Sequence, residues 1–290
     1  MNPKIASVPA AGLLIALLAA PSHAGNTPTA PAQNDAAPMS LENAAMEGDP
    51  MALFVAARRH LIVAANRGSD SERKKGLDYL NRALEAGFTP AAYFAGSIYL
   101  TGDIVEQNIP QAVHWFERAA EAGDPGAQLT LANLLASGEQ VEQDIPAAVH
   151  WYETVLANPD AGYESERLWE VSFTLGTLYA EGLGVPADPV RARELWKDAA
   201  ELGAYPPARK ALADAWATGL GGPRDVDTAM RHYYSAATGY FTSAVRHNLG
   251  HHTVQQAEQE ILQAMESLAP DSRLIHKLKE ELTTSHTASL

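Results

Sequence analysis

A chain of 290 residues with no cysteine carries 35 acidic against 21 basic side chains, a formal charge of −14. The missing thiols exclude disulfides, thiolate catalysis and zinc–thiolate sites, so a core must hold the fold, and the length is ample for one. The acidity argues against nucleic acid and anionic membrane surfaces as partners.

The N-terminus reads as an address. Lys4 is followed by the short apolar run Leu13–Ala20 and by the small residues around Ser22-His23-Ala24, the order of a secretory signal peptide cleaved after Ala24. Pro9, Gly12 and Pro21 would interrupt a buried helix there, and the run is far shorter than the about 18 residues of a membrane span. Residues 1–24 therefore predict export to the periplasm, with secretion as the alternative. Because no cysteine follows, a lipid anchor is excluded, and no membrane span is expected. Residues 25–40 are rich in proline and small side chains, with Met39 the one large apolar residue. They predict a disordered linker.

Residues 41–89 read as a divergent first helix pair. Leu41–Gly48 forms a short cap, and Asp49-Pro50 opens a helix to about Asn66 that ends at Gly68. Lys75–Gly87 is its partner. Four more regular units follow, at 90–125, 126–167, 168–204 and 205–239. The glycines ending their first helices, Gly102, Gly138, Gly182 and Gly219, are spaced by 36, 44 and 37 residues. Six residues after each glycine stands Asn108, Asp144, Asp188 or Asp225, a side chain suited to the free amides of a helix start. Pro110, Pro146 and Pro189 follow, where the first turn tolerates a missing amide. Ten residues after the glycine comes Ala112, Ala148, Ala192 or Ala229, and fourteen after it Phe116, Tyr152, Trp196 or Tyr233. Gly123, Gly203 and Gly239 are expected to close the second helices. In the first helices, Gly96, Ala132, Gly176 and Ala213 mark close backbone approach, while Ala95, Leu131, Leu175 and Leu212 share a face with Ile98, Leu134, Leu178 and Ala215. Tyr99, Leu135, Tyr179 and Trp216 stand three before each glycine. A unit of this kind cannot bury its apolar face alone, so copies must stack.

The second unit carries an insertion at 158–167. Insertions in repeat proteins emerge as loops, either as a binding feature or as a tolerated extension. After Gly239, residues 240–282 read as a partial repeat and capping helices. Val245–Gly250 echoes a first helix, and Val254, Ala257, Ile261, Met265 and Leu268 continue at helical spacing, as two helices or one. Thr253 with Gln256 is a candidate capping box. Pro270-Asp271 ends that segment, a last helix carries Leu274, Ile275 and Leu278, and the tail 283–290 is expected to fray.

The run Leu175-Gly176-Thr177-Leu178-Tyr179-Ala180-Glu181-Gly182-Leu183-Gly184-Val185, with Asp188, Ala192, Trp196 and Ala199-Ala200-Glu201-Leu202-Gly203, resembles the Sel-1-like repeat family, relatives of the tetratricopeptide repeat. The resemblance is tight from about Pro90 to Gly239. It implies an all-α fold, a right-handed α-solenoid of stacked antiparallel helix pairs. It also implies a scaffold or adaptor that binds another protein without chemistry. Exported relatives encoded beside toxins add an immunity role against a secreted effector to that of an envelope adaptor. One branch of the family resembles penicillin-binding or β-lactamase-like proteins, so the alternative is an enzyme or binding protein acting on cell-wall material. That branch is cysteine-rich, unlike this chain.

No catalytic residue or cofactor site is expected. The sequence has no serine elbow, His-Glu-x-x-His pair, phosphate loop or calcium loop. Its glycine-rich stretches at Gly182-Leu183-Gly184 and Gly219–Gly222 sit where the repeat needs a turn. His247, His251 and His252 are the metal candidates: His247 and His251 share one helix side at i, i+4, but no third ligand is assigned, and the sequence leaves their binding of a metal open. His114 and His150 recur because the repeats do, and Asp225 with Asp227 suits a helix start. Arg58, Arg59, Arg67, Arg73, Lys74 and Lys75 form a basic patch, either a solvated face or a contact for an acidic partner. The predicted partner-binding face is the concave side formed by the first helices. It comprises Ser97 and Thr101; Thr130, Asn133 and Ser137; Thr174, Thr177 and Glu181; Asp214 and Thr218; and Asn248 and His251.

Overall fold

The computed structural model describes residues 41–162, 166–247 and 251–288, and all regular structure in them is helical. The chain divides into two compact units, one ending at Ala161 and the other starting at Gly162.

The first unit holds α1 (Leu41–Met46), α2 (Pro50–Arg67), α3 (Asp70–Glu85), α4 (Thr89–Thr101), α5 (Ile109–Glu121), α6 (Pro125–Ser137) and α7 (Ile145–Ala157), then a 3₁₀ turn at Pro159–Ala161. The second holds α8 (Glu166–Glu181), α9 (Pro189–Glu201), α10 (Pro206–Thr218), α11 (Val226–His247), α12 (His251–Leu268) and α13 (Arg273–Ala288).

The four aligned starts of the second helices share one construction. Asn108, Asp144, Asp188 and Asp225 each accept, through Oδ1, the amide three residues on, at 3.0, 3.0, 2.9 and 3.1 Å. Each also donates its own amide to the residue three before the glycine: Tyr99, Leu135, Tyr179 and Trp216, at 2.9 to 3.0 Å. One residue thus caps the second helix and ties the loop to the first, supplying both partners that helix ends require. Replacing Asp188 with alanine is expected to lower stability by about 1 kcal/mol, the usual worth of such a cap. Urea unfolding of the full chain measures it.

The first helices end as expected, with Gly68, Gly102, Gly138 and Gly219 in the left-handed region as C-caps. There a side chain would be strained. Packing follows the alignment. Ala112, Ala148, Ala192 and Ala229 are wholly buried, and Phe116, Tyr152, Trp196 and Tyr233 nearly so. A Cβ at position 96 would lie 2.7 Å from the Phe116 ring, and one at position 176 would lie 2.7 Å from Trp196 Nε1. The repeats that carry glycine at the close approach pair it with Phe or Trp, and those that carry alanine pair it with Tyr.

Neighbouring repeats are also joined by polar groups. Gln128 and Arg209 occupy equivalent places ten residues before their glycines. Gln128 Nε2 donates to Ala120 O (3.2 Å), and Arg209 Nε donates to Ala200 O (3.1 Å). Both satisfy a carbonyl in the last turn of the preceding second helix.

Several boundaries differ from the sequence reading. The second helix of the divergent pair begins at Asp70 with Ser69 as its cap, five residues earlier than Lys75. Only Gly123 of the three closing glycines turns left-handed. Near Gly203 it is Ala204 that adopts positive φ, while Gly203 makes room for the Trp169 indole, whose Cγ would be 2.2 Å from a Cβ. Gly239 lies inside α11, which runs on to His247. α12 has begun by His251, so Thr253 lies within it rather than capping it, and α11 and α12 are two helices rather than one. α13 continues to Ala288, through most of the tail expected to fray. The insertion is only partly loop. Asn158 Nδ2 donates to Gly123 O (2.8 Å) and Gln128 Oε1 (3.0 Å), and Glu166 and Arg167 lengthen α8 at its start. Residues 1–40, with the expected leader and linker, lie outside the described residues.

Candidate partner-binding face

In the first unit the proposed face lies on α4 and α6. Ser97 is buried, and its Oγ donates to Tyr93 O at 2.9 Å. Thr101 is half-buried, with Oγ1 shielded from solvent and without a hydrogen-bond partner. Thr130 Oγ1 donates to Gly126 O (2.7 Å) and Ser137 Oγ to Leu134 O (3.2 Å). Asn133 Oδ1 accepts from Tyr152 Oη (2.8 Å).

In the second unit it lies on α8 and α10. Thr174 and Thr177 are half-buried, and Thr177 Oγ1 donates to Phe173 O (3.0 Å). Glu181 is exposed. Asp214 accepts from Tyr233 Oη through Oδ1 and from Lys210 Nζ through Oδ2, the latter at 3.2 Å. Thr218 is exposed and donates to Asp214 O (2.8 Å). Asn248 and the side chain of His251 lie outside the described residues.

These groups are therefore less free than their polarity suggests. Hydroxyls on a helix return their proton to the carbonyl of the preceding turn, leaving oxygen lone pairs to offer a ligand. Asn133 and Asp214 are held from beneath by core tyrosines. Burial pushes both phenols, Tyr152 and Tyr233, well above their ordinary value, and for Tyr233 the bond to Asp214 adds to it. Sequence reasoning missed this coupling. Its signal was present, because the two repeats with Tyr fourteen after the glycine are the two with Asn or Asp five before it.

The remaining candidates resolve into structure. His114 and His150 are exposed and pack edge-on against Trp115 and Trp151, each at 5.2 Å. Much of the basic patch is internally matched. Arg59 pairs with Glu42 and Arg73 with Asp70, both at 2.7 Å, while Arg67, Lys74 and Lys75 are exposed. His60 Nδ1 meets Glu72 Oε2 at 2.6 Å and stacks on Tyr79 at 5.6 Å, bracing α2 against α3. The hydrogen bond from His60 holds the Glu72 carboxyl below its ordinary 4.5. A depressed carboxylate contributes stability that is present above its unfolded pKa and lost as pH falls through the folded one. Carboxyl NMR titration is therefore expected to show Glu72 below the ordinary value in the wild type and back at it in His60→Ala.

Among the described residues, no group of three His, Asp or Glu side chains could hold a metal ion, and no helix is long and apolar enough to cross a membrane. The side chains of His247, His251 and His252 lie outside the described residues.

Stacked two-helix units, one pattern of caps and one aromatic position per unit define a helical repeat protein. The family model of the Sel1 repeat matches at residues 89–124, 125–154, 173–203 and 206–239, so the chain carries four Sel1 repeats. Its fold matches solved structures of that family. Against a Sel1 repeat protein from Oxalobacter formigenes the identity is 26% and the TM-score 0.52, covering 67% of this chain and 74% of that one. Against a protective antigen of uropathogenic Escherichia coli strains that displays an SLR fold, the identity is 26% and the TM-score 0.55. That match covers 78% of this chain and 48% of the antigen, so the chain spans about half the antigen's length. No curated protein matches the sequence. Sel1 repeats are typically non-enzymatic scaffolds for protein–protein interaction.

Proposed function

We propose that this protein is exported and binds one protein partner along the face of its first helices turned away from their core, without chemistry, as an envelope adaptor or as an immunity protein against a secreted effector. The observation that carries the binding face is the recurrence of small hydrogen-bonding groups at matched positions. Thr130 and Thr174 lie eight residues before their glycines, Asn133, Thr177 and Asp214 five before, and Ser137 and Thr218 one before. In the first unit they stand on α6 and in the second on α8 and α10, at partial or full exposure, a repeated surface of the sort repeat proteins use for recognition. Export rests on the order of Lys4, Leu13–Ala20 and Ser22-His23-Ala24.

The test is cross-linking and capture with the tagged full-length protein from fractionated cells, beside Thr130→Arg and Thr218→Arg. One stoichiometric partner from the periplasmic fraction, lost with both variants while their circular dichroism stays wild-type, is the expected result. A cell-envelope component as the captured protein supports the adaptor role, and a toxin whose activity the protein blocks supports immunity. Retention of the partner by both variants would remove this face from consideration. Turnover of a wall fragment with no partner captured would favour the enzyme reading.

A further inference from the structure

Arg193 breaks the pattern of the second helices. Eleven residues after the first-helix glycine the repeats carry Val113, Val149, Arg193 and Met230. Arg193 is buried, as Val149 and Met230 are, with 9% of its surface exposed, while Val113 is half-buried. Among the described residues no carboxylate forms an ion pair with it. Its guanidinium carbon instead lies 3.6 Å from the centroid of the Trp216 ring. Nη1 donates to Leu220 O (3.5 Å) and Pro223 O (3.3 Å), and Nη2 donates to Pro223 O (3.4 Å).

The receiving loop is shaped to match. Gly221 has φ +69°, and a Cβ there would lie 2.0 Å from Pro189 O, while one on Gly222 would lie 2.4 Å from Arg193 Nη1. The corresponding loops elsewhere are held from within their own repeat. Gln107 Nε2 donates to Leu100 O and Gln143 Nε2 to Ala136 O, both at 2.8 Å. The loop after Gly182 has Ala187 in that place, and the loop after Gly219 has Arg224, whose Nε donates to Ala217 O (2.7 Å). Only this last loop, among the described residues, also receives a buried cation from the repeat before it.

We infer that Arg193 is a clasp: its planar cation, sandwiched between the Trp216 face and the carbonyls of Leu220 and Pro223, makes the loop 219–224 part of the preceding repeat's packing and fixes the register of the third and fourth repeats. A guanidinium suits this place because it stacks on an aromatic face and spreads its donors in one plane, which an ammonium cannot do.

Native-state hydrogen exchange on the full chain tests it. The amides of Leu220, Gly222 and Asp225 donate to the carbonyls of Ala215, Gly219 and Trp216, tying the clasped loop to the end of α10. Arg193→Met, which restores an apolar side chain, is expected to speed their exchange about tenfold or more, as the loss of charged hydrogen bonds implies. Arg193→Lys keeps the charge and is expected to exchange nearly as fast as the methionine variant. Gly222→Ala attacks the same contact from the loop and is expected to give the same local pattern. Wild-type exchange at those amides in Arg193→Met overturns the inference. A rise spread evenly over the second unit, with Ile261 exchanging as much faster as Leu220, overturns it too, because it describes general destabilisation. If Arg193→Met does not fold, Gly222→Ala decides by the same two criteria.

Discussion

Phe116→Ala is expected to destabilise the first unit by about 3–5 kcal/mol, the range for removing a buried phenyl ring from a packed core. Phe116 is fully buried, touches the backbone side of Gly96 where no Cβ would fit, and lies 5.7 Å from the Tyr93 ring. The loss contains a transfer part and a cavity part, and the second can be tested separately. Gly96→Ala alone drives a methyl to within 2.7 Å of the ring and is expected to cost about 1–3 kcal/mol through overpacking. In the Phe116→Ala background the same methyl enters the vacated space and should restore stability. The double-mutant cycle therefore predicts strong non-additivity. Equal, additive losses in urea unfolding would show that the two residues do not share one space.

Gly221→Ala is the second large expected effect. The left-handed backbone costs a side chain about 1–2 kcal/mol, and a contact of 2.0 Å to Pro189 O adds about 1–3 kcal/mol of overpacking. Because the clashing atom belongs to the backbone, no rotamer change relieves it. Gly48→Ala supplies the control: φ is +88° but nothing lies within 4 Å of the added methyl. The difference between the two losses, measured by denaturant unfolding of each full-length variant, isolates the steric part. Equal losses would mean that the loop yields freely against α9.

The regular part of the molecule was legible because repetition multiplies a weak signal. One Asp or Asn before a helix says little, but one Asn and three Asp at a fixed distance from four glycines, each found capping, leave one interpretation. Reading failed where a residue type serves two purposes. Gly203 looked like a terminator, yet its role is to admit Trp169, and the left-handed turn fell to Ala204. Gly239 lies inside a helix that the residues after it prolong. The face was legible as a row of positions but not as chemistry, because periodicity reveals which side a hydroxyl occupies and not that its proton is already given to Tyr93, Gly126 or Phe173. Arg193 was invisible for another reason: a lone charged residue in an apolar column reads as noise until the loop that receives it is seen.

The bonds from Tyr152 to Asn133 and from Tyr233 to Asp214 also constrain how this surface can evolve. Loss of the amide or the carboxylate would take the partner from the hydroxyl of a nearly buried tyrosine, and loss of the phenol would release a polar group at the surface. Lineages that vary these two spots should change both members together, whereas Thr130, Thr174 and Thr218 are open to single steps.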